Sequence, residues 1–235
     1  MNIKEIFFSY QGEAKYIGYP TLFVRFAGCN LNCFYCDTKK AKKVNFKDKK
    51  DIDEVLKIID MFVKKYKPKF ISFTGGEPLI QDENELVNFL QRIKKYNTKI
   101  YLETNATLPK KLIKIIKFLD VISVNLKLPI DDVKNFDTFK LVKRSIDLCK
   151  MFNKEFFVKI VITKNYYEKK LIIKIKKFLN ETKPDLLILQ PETTYFKKAN
   201  KNIFLNLCNL YSQIKNAVSY IHIIPQLHRV VWRIK

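Results

Sequence analysis

Short apolar segments alternate with segments of helical periodicity along almost the whole chain, and this alternation limits the possible folds more than any other feature. Strands are predicted over residues 21–26, 70–73, 99–102, 121–124, 156–162, 186–189 and 220–224. Helices are predicted over residues 52–65, 82–95, 108–118, 134–151, 167–179 and 201–215. Strands that alternate with helices form βαβ units, so the pattern predicts an α/β fold with a largely parallel sheet. Right-handed crossovers then place the loops after the strands on one face, where ligands bind in sheets of this kind.

The length of 235 residues and the hydrophobic fraction of 47% suit one globular domain with a sizeable core. No internal repeat or long linker interrupts the alternation, so residues 1–235 are predicted to form a single domain. The longest apolar runs are far shorter than the roughly 18 residues that a membrane span needs. The opening segment MNIKEIFFSYQGE has no apolar stretch of signal-peptide length, and we therefore expect a soluble cytoplasmic protein without membrane contact.

The chain is strongly basic, because 45 Lys and Arg residues against 23 Asp and Glu residues give a formal charge of +22. Such a charge attracts nucleic acid, acidic proteins or anionic small molecules. Lysine is spread along every predicted helix while arginine is scarce, which indicates a bias of the whole composition more than a nucleic-acid surface. We therefore predict no direct nucleic-acid binding, and a zinc-containing RNA-binding module stays open as one alternative.

The segment GCNLNCFYCDT gathers Cys29, Cys33 and Cys36 in a CxxxCxxC pattern. In a reducing compartment, a tight group of thiols more often binds metal or performs redox chemistry than forms disulfides. Three thiolates can hold an iron–sulfur cluster with one iron open to another ligand, or a zinc ion with a distant or water ligand. The spacing leaves both open, together with a loop of unligated thiols. Cys149 and Cys208 stand alone in helical patterns and are predicted to be buried as small apolar residues.

A second motif, TGGEP, places Thr74, Gly75, Gly76 and Glu77 directly after a predicted strand. Two glycines allow the backbone to approach a ligand without obstruction from a Cβ atom. Glu77 offers a carboxylate, and the proline that follows suits the start of a helix. A Gly-Gly pair at the end of a strand is usually only a turn, and it becomes informative through its combination with the cysteine motif.

Together, CxxxCxxC and TGGEP resemble the motifs of the radical S-adenosylmethionine (SAM) superfamily. In that superfamily three cysteines hold a [4Fe–4S] cluster, and the open iron binds the amino and carboxylate groups of SAM. The reduced cluster cleaves SAM to methionine and a 5′-deoxyadenosyl radical. The resemblance implies that Cys29, Cys33 and Cys36 are the cluster ligands and that the fold is a partial (β/α) barrel.

Further segments resemble one family within this superfamily, the 7-carboxy-7-deazaguanine synthases. The resemblance is carried by EIFFSYQGE, GYPTLFVRFAGCNLNCFYCDT, TGGEPLIQ, ETN and PQLHRVVW. It implies an enzyme that converts 6-carboxy-5,6,7,8-tetrahydropterin to 7-carboxy-7-deazaguanine with loss of ammonia, as a carbon–nitrogen lyase on the route to queuosine. A radical SAM activase that makes a glycyl radical on a partner protein shares the cysteine spacing, and stays open as the second reading.

The family resemblance also implies roles for individual residues, with no side chain assigned as a general acid or base. It implies substrate contacts from Tyr10, Gln11, Gly12, Glu13, Arg25, Thr74 and His228. It implies SAM contacts from Tyr35, Cys36, Asp37, Gly76, Asn125, Leu126, Lys127, Gln190, Pro191, Glu192 and Thr193. Thr38 corresponds to a residue that holds Mg²⁺, and waters and substrate oxygens must complete that site. Arg25 suits the substrate carboxylate, because its planar fork can donate two parallel hydrogen bonds.

The chain departs from the family pattern at three places. Ala14 and Ala106 replace the glycines of QGEG and ETNG, and NLK over residues 125–127 replaces an SPK-like segment. The first two are expected to adjust loops only, and the third weakens the assignment of these three residues to SAM.

Two partners are expected besides the substrate. The lysine-rich stretch Lys39–Lys50 follows the cysteine loop directly and is predicted to help dock an acidic reductant such as a flavodoxin, although a solvated basic loop explains it equally well. A homodimer is implied by the family alone.

Overall fold

The computed structural model describes residues 1–129, 137–163, 166, 168–193 and 201–230. Contacts divide the chain into two compact units. The first unit comprises Met1–Gln11 and Gly18–Phe156, and the second comprises Gly12–Ile17 and Phe157–Lys235. Among the residues just described, no helix is both long enough and apolar enough to cross a membrane.

The first unit is built on strands that follow one another across the sheet in chain order. They are β1 (Ile3–Tyr10), β2 (Pro20–Phe26), β3 (Phe70–Gly75), β4 (Lys99–Thr104) and β5 (Val121–Asn125). β1 is antiparallel to β2, and the pairings from β2 to β5 are parallel. The central strands are apolar and almost fully buried, as expected when helices cover a parallel sheet.

Helices connect these parallel strands. They are α1 (Ile52–Tyr66), α2 (Glu83–Ile93), α3 (Pro109–Ile115) and α4 (Thr138–Met151). Asp51 and Asp82 begin α1 and α2 as N-caps, since each carboxylate accepts hydrogen bonds from backbone N–H groups of the first turn. α1 ends at Lys67, whose left-handed backbone stops the helix.

The second unit holds three parallel strands of its own. They are β6 (Glu155–Ile162), whose first two residues still belong to the first unit, β7 (Leu186–Pro191) and β8 (Tyr220–Ile223). Its helices are α5 (Lys169–Thr182), α6 (Lys201–Ile214) and the short α7 (Leu227–Val230). Residues 12–17 contribute a single 3-10 turn, Ala14–Tyr16.

Each predicted strand and helix is present, with ends that shift by a few residues; positions 134–136 and 167 of the predicted helices lie outside the described residues. β1 was not predicted, because its side chains are mostly half-buried and do not alternate between core and solvent. Cys149 is buried as predicted, whereas the prediction that Cys208 is buried is wrong. On α6 the buried side has the helical spacing of Leu207, Leu210 and Ile214, and Cys208 falls one position off it.

Candidate functional site

The cysteine loop begins where β2 ends, at the carboxyl edge of the sheet in the first unit. Cys33 is buried beside Leu31, and Cys29, Tyr35 and Cys36 pack against them. The backbone N–H of Cys36 donates to the Cys33 carbonyl at 3.3 Å. Lys42 also stabilises the loop, since its Nζ donates to the Cys33 carbonyl at 2.8 Å. The loop therefore brings all the predicted cluster ligands together.

The three thiols of this loop favour the binding of a cationic metal centre. Burial raises the pKa of the Cys29 thiol to about 11, and the nearby Glu77, Cys33 and Cys36 add to the increase, while a hydrogen bond with the Leu31 backbone opposes it. Gathered thiolates repel one another unless a cation lies among them. Three thiols in one half-buried loop therefore fit an iron–sulfur cluster with a further ligand position on the iron.

Two glycines set the loop against the end of β3. The N–H of Gly76 donates to the Phe26 carbonyl at 3.0 Å, and the N–H of Glu77 donates to the Gly28 carbonyl at 2.8 Å. A Cβ atom on Gly76 would lie 1.8 Å from the Gly28 oxygen, and one on Gly75 would lie 2.4 Å from the Phe26 oxygen. We call this contact of residues 26–28 with residues 75–77 the loop cradle. Its glycines are required because two backbones touch there, whether or not a ligand also approaches them.

Glu77 lies under the loop cradle and is almost completely buried. Its carboxylate accepts hydrogen bonds from the Leu79 N–H at 3.1 Å, the Thr104 hydroxyl at 2.7 Å and the Asn105 N–H at 2.7 Å. Burial raises the pKa of Glu77, and these hydrogen bonds oppose the increase. The carboxylate that the sequence offered as a site group therefore joins β3 to the end of β4.

Three uncharged side chains tie the cysteine loop to the same end of β4. The Asn105 amide donates to Asn30 Oδ1 at 2.9 Å, and the Asn30 amide donates to the Thr107 hydroxyl at 2.9 Å. The Thr107 hydroxyl in turn donates to Asn105 Oδ1 at 2.6 Å. Sequence reasoning gave these residues no role, although an Asn within the cysteine motif and another after a strand are a usable signal.

The residues predicted to bind SAM in the first unit lie in the cysteine loop, at the end of β5 and the loop that follows it, and in the loop cradle. Lys127, after β5, places its Nζ 5.3 Å from the centre of the Tyr35 ring, and its charge acts on the Glu77 carboxylate. Leu126 is buried and Asn125 closes the strand. In the cysteine loop, Asp37 is exposed and the Thr38 hydroxyl lies 3.7 Å from Cys36 Sγ. Gly76 belongs to the loop cradle.

Two of the residues predicted to bind substrate in the first unit, Arg25 and Gln11, already have side-chain partners. Arg25 Nε donates to Glu5 at 2.6 Å, and Arg25 is the register partner of Thr74 on β3. The Gln11 amide donates to Glu103 at 3.1 Å, at the carboxyl end of β4. Sequence reasoning named neither glutamate. Tyr10, exposed at the end of β1, completes this set.

In the second unit, the residues predicted to bind substrate come together around Glu13. The Leu227 N–H donates to the Gly12 carbonyl at 2.8 Å, and a Cβ atom on Gly12 would lie 2.6 Å from His228 Nδ1. A carboxylate oxygen of Glu13 lies within 4.8 Å of a ring nitrogen of His228. Two residues that the sequence did not indicate, Lys159 and Gln226, donate to the Glu13 carboxylate at 2.6 Å and 2.7 Å. We call Gly12, Glu13, Lys159, Gln226 and His228 the Glu13 group.

Residues 190–193 span the end of β7 in the same unit. Gln190 and Pro191 are buried, and the Glu192 N–H donates to the Ile162 carbonyl at 2.9 Å. The Thr193 hydroxyl donates to the Gln226 side chain, which joins this segment to the Glu13 group. Within the described residues, the buried Gln190 Oε1 has no hydrogen-bond partner.

Comparison with known proteins agrees with this geometry. The family model described as the Radical SAM superfamily matches residues 23–172, a span that includes the cysteine loop and the loop cradle. The chain belongs to the radical SAM superfamily.

Relatives define the family more closely. A 7-carboxy-7-deazaguanine synthase from Clostridium acetobutylicum is 34% identical over 242 residues, which cover 99% of this chain and 97% of the relative. Synthases of the same name from Archaeoglobus fulgidus and Methanopyrus kandleri are 39% and 32% identical, over 68% and 69% of this chain and 71% and 69% of the relatives. Within the superfamily, the chain is a member of the 7-carboxy-7-deazaguanine synthase family.

Solved structures confirm the predicted fold class, an α/β fold of the radical SAM type with a largely parallel sheet. QueE from Escherichia coli superimposes with a TM-score of 0.63 at 19% identity, over 96% of this chain and 93% of that one. The enzyme anSMEcpe, solved with bound AdoMet and the Kp18Cys peptide, superimposes with a TM-score of 0.60 at 22% identity, over 84% of this chain and 60% of that one.

Proposed function

We propose that the chain is a 7-carboxy-7-deazaguanine synthase, which converts 6-carboxy-5,6,7,8-tetrahydropterin to 7-carboxy-7-deazaguanine with release of ammonia. The observation that carries this proposal is the loop of Cys29, Cys33 and Cys36 set on the loop cradle, in a chain that matches a synthase along almost its full length. The two compact units then act as one catalytic domain in the cytoplasm.

The radical SAM family implies a [4Fe–4S] cluster and SAM as cofactors. The three cysteines of the loop hold the cluster, since the other two cysteines of the chain, Cys149 and Cys208, are far from this loop in the sequence. When bound, the cluster and SAM would supply a 5′-deoxyadenosyl radical, and no side chain is assigned as a general acid or base. The residues of this chain that bind SAM are Tyr35, Cys36, Asp37, Gly76, Asn125, Leu126 and Lys127 of the first unit, and Gln190, Pro191, Glu192 and Thr193 of the second.

The substrate is a small carboxylated pterin. Arg25 binds its carboxylate through the terminal nitrogens of the guanidinium, while Nε stays with Glu5. Glu13 accepts a hydrogen bond from a pterin N–H, and His228 approaches the same ring. Tyr10, Gln11, Gly12 and Thr74 complete the contacts. Thr38 supplies one oxygen to Mg²⁺, with the other ligands from waters and substrate.

The reductant is an acidic protein that meets the stretch from Lys39 to Lys50. Most lysines of this stretch are exposed, whereas Lys42 binds the cysteine loop and Lys49 pairs with Glu85. Phe46 is 98% exposed among them, and an apolar ring within a basic surface suits a protein partner. The active form is a homodimer, a state for which the family resemblance is the support.

The test is an anaerobic incubation of the cluster-loaded protein with SAM, a reductant and the carboxy-tetrahydropterin, followed by mass analysis. We expect 7-carboxy-7-deazaguanine and ammonia, which together contain all the atoms of the substrate. Reductive cleavage of SAM without any change in the pterin would move the glycyl-radical activase ahead. A colourless protein that contains zinc and no sulfide would end the radical mechanism and favour the RNA-binding module.

The cluster ligands are tested by replacing cysteines one at a time. Cys33→Ala is expected to abolish both iron binding and SAM cleavage, because two thiolates cannot hold the cluster in place of three. The controls are Cys149→Ala, buried in α4, and Cys208→Ala, exposed on α6, and both should keep the iron. Iron content, sulfide content and the visible absorption of anaerobically purified protein measure the result. Loss of iron in Cys149→Ala that matches the loss in Cys33→Ala would show that the ligand assignment is wrong.

A further inference from the structure

Lys159 is a buried cation in the middle of β6. The whole residue is 5% exposed, and its Nζ forms an ion pair with Glu13 at 2.6 Å. Lysine is almost never buried unless it is paired, because removing its charge from water is costly. Other lysines of the second unit, such as Lys177 on α5, are exposed. The ion pair with Glu13 therefore offsets part of the cost of burying Lys159.

The same carboxylate also holds the C-terminal segment of the unit. Gln226 donates to the second oxygen of Glu13 at 2.7 Å, one residue before the short helix that carries His228. The Leu227 N–H donates to the Gly12 carbonyl at 2.8 Å, next to Glu13 in the chain. The orientation of Glu13 thus fixes where the residues next to His228 lie.

Stability alone gives little reason for this arrangement. An apolar pair of similar volume often packs at least as stably as a buried ion pair, since no charge then has to leave water. A buried lysine that pairs with a carboxylate fixes the orientation of that carboxylate and keeps it negatively charged. Both matter when the carboxylate must meet a defined N–H donor of a ligand.

We propose that Lys159 is a positioning residue for the pterin, which acts by orienting Glu13 and, through Gln226, the segment that carries His228. This inference rests on the proposed function, in which Glu13 and His228 contact the substrate. Lys159 itself does not touch the reacting atoms. Its effect is therefore expected mainly on pterin binding, with at most a small effect on SAM binding through the contact of Gln226 with Thr193.

The test compares Lys159→Met, Glu13→Gln and the double variant Lys159→Met/Glu13→Gln in cluster-loaded protein, with the carboxy-tetrahydropterin and SAM titrated separately by anaerobic calorimetry. Lys159→Met is expected to weaken pterin binding by about tenfold or more, and SAM binding by less than about threefold. The matched control is Lys177→Met, since this lysine of the same unit is 79% exposed and pairs with Glu181 at 4.0 Å. It should change neither affinity.

The double variant separates positioning from direct contact, and it removes both charges in case Lys159→Met alone does not fold. If Lys159 acts only through Glu13, the double variant binds pterin within about twofold of Glu13→Gln. Lys159→Arg, which keeps the charge, should bind pterin more tightly than Lys159→Met. Circular dichroism and iron content establish that each variant is folded and loaded.

Three results would overturn the inference. The first is that Lys159→Met binds pterin as tightly as the wild type does. The second is that this variant loses pterin affinity and SAM affinity equally. The third is that the double variant loses as much pterin affinity as the losses of the two single variants combined. If the wild-type protein binds no carboxy-tetrahydropterin, the proposed function itself fails together with this inference. Normal pterin binding by the wild type and by Lys159→Met would instead overturn the role of Lys159 and leave the proposed function standing.

Discussion

The loop cradle of the first unit and the Glu13 group of the second unit are built by opposite means. In the loop cradle, backbone meets backbone at glycines, and the buried carboxylate of Glu77 is surrounded by N–H and hydroxyl donors. In the Glu13 group, side chains meet side chains, with a buried lysine and an amide on one carboxylate. The first arrangement has no rotamers that can adjust, whereas the second depends on several.

This difference predicts different responses to substitution. A group that intrudes between two hydrogen-bonded backbones forces the main chain to move, so changes in the loop cradle should damage folding and cluster retention. A changed side chain in the Glu13 group leaves the main chain in place and should mainly alter what the group binds.

The largest expected effect comes from Gly76→Ala. The new Cβ atom would lie 1.8 Å from the Gly28 oxygen, and the hydrogen bonds on both sides of the contact prevent a simple separation. We expect a loss of more than about 4 kcal/mol in the free energy of unfolding, together with loss of the cluster. Urea unfolding and iron content measure the two effects.

Gly18→Ala is the matched control for Gly76→Ala. Gly18 has a φ of 85°, and apart from Gly18 and its two chain neighbours no heavy atom of the described residues lies within 4 Å of the position that its Cβ would take, so alanine there meets backbone strain without a clash. Its expected cost is about 1–2 kcal/mol, with the cluster retained. Equal losses in the two variants would mean that conformational strain, and not the close approach, governs the loop cradle.

Much of the first unit could be predicted because its determinants are local motifs. The cysteine spacing, the glycines after β3 and the asparagines were visible as short segments, and the polar contacts that join them span 27 to 77 positions. The sequence indicated that Glu77 was important but not that it is internal, since a motif does not show which side of the backbone a side chain faces.

The Glu13 group was harder to predict because its contacts are distant in sequence. Lys159 and Gln226 lie 146 and 213 positions from Glu13. Lys159 is surrounded by ordinary strand sequence, and the PQLH segment that contains Gln226 pointed only to His228. Arg25 and Glu5 could have been paired, but β1 was not recognised as a strand, and their contact depends on its register with β2. Long-range pairs of single side chains leave no pattern that one sequence reveals.

The next largest effect is expected at Arg25, which the proposed function assigns to the substrate carboxylate. Arg25→Lys keeps the charge and can keep the ion pair with Glu5, but it loses the planar fork that fits a carboxylate. We expect pterin binding to weaken by about 1–3 kcal/mol, while SAM cleavage in the absence of pterin stays nearly normal. Separate anaerobic titrations of pterin and SAM measure this. A variant that loses SAM affinity and keeps the pterin would contradict the assignment of Arg25 to the substrate.

A smaller effect is expected at the lysine-rich surface beside the cysteine loop. Replacing Lys39, Lys40, Lys43 and Lys47 by Gln spares Lys42 and Lys49, which have structural partners. Cluster reduction by a flavodoxin should slow by several-fold, and the wild-type rate should fall as salt rises, because complementary charge speeds association. The control replaces the exposed Lys169, Lys170, Lys174 and Lys176 of α5. Unchanged rates in both tests would leave the stretch as a solvated loop.

The smallest expected effect compares the two units at the positions where the chain departs from its family pattern. Ala106 in the first unit has a φ of 55° and Ala14 in the second has a φ of 59°, so both alanines keep the left-handed conformation that a glycine would adopt freely. Both loops therefore hold a backbone conformation that is strained for alanine. Glycine removes a strain of about 1–2 kcal/mol and adds about 0.4–1 kcal/mol of chain entropy to the unfolded state. We expect Ala106→Gly and Ala14→Gly each to raise the free energy of unfolding by about 0.5–1 kcal/mol.

Ala41→Gly is the control, because this buried alanine lies in a 3-10 turn without a positive φ and its replacement should destabilise the protein. If Ala106→Gly is stabilising and Ala14→Gly is not, the segment held by the Glu13 group relaxes its own strain, while the segment packed beside Glu77 does not.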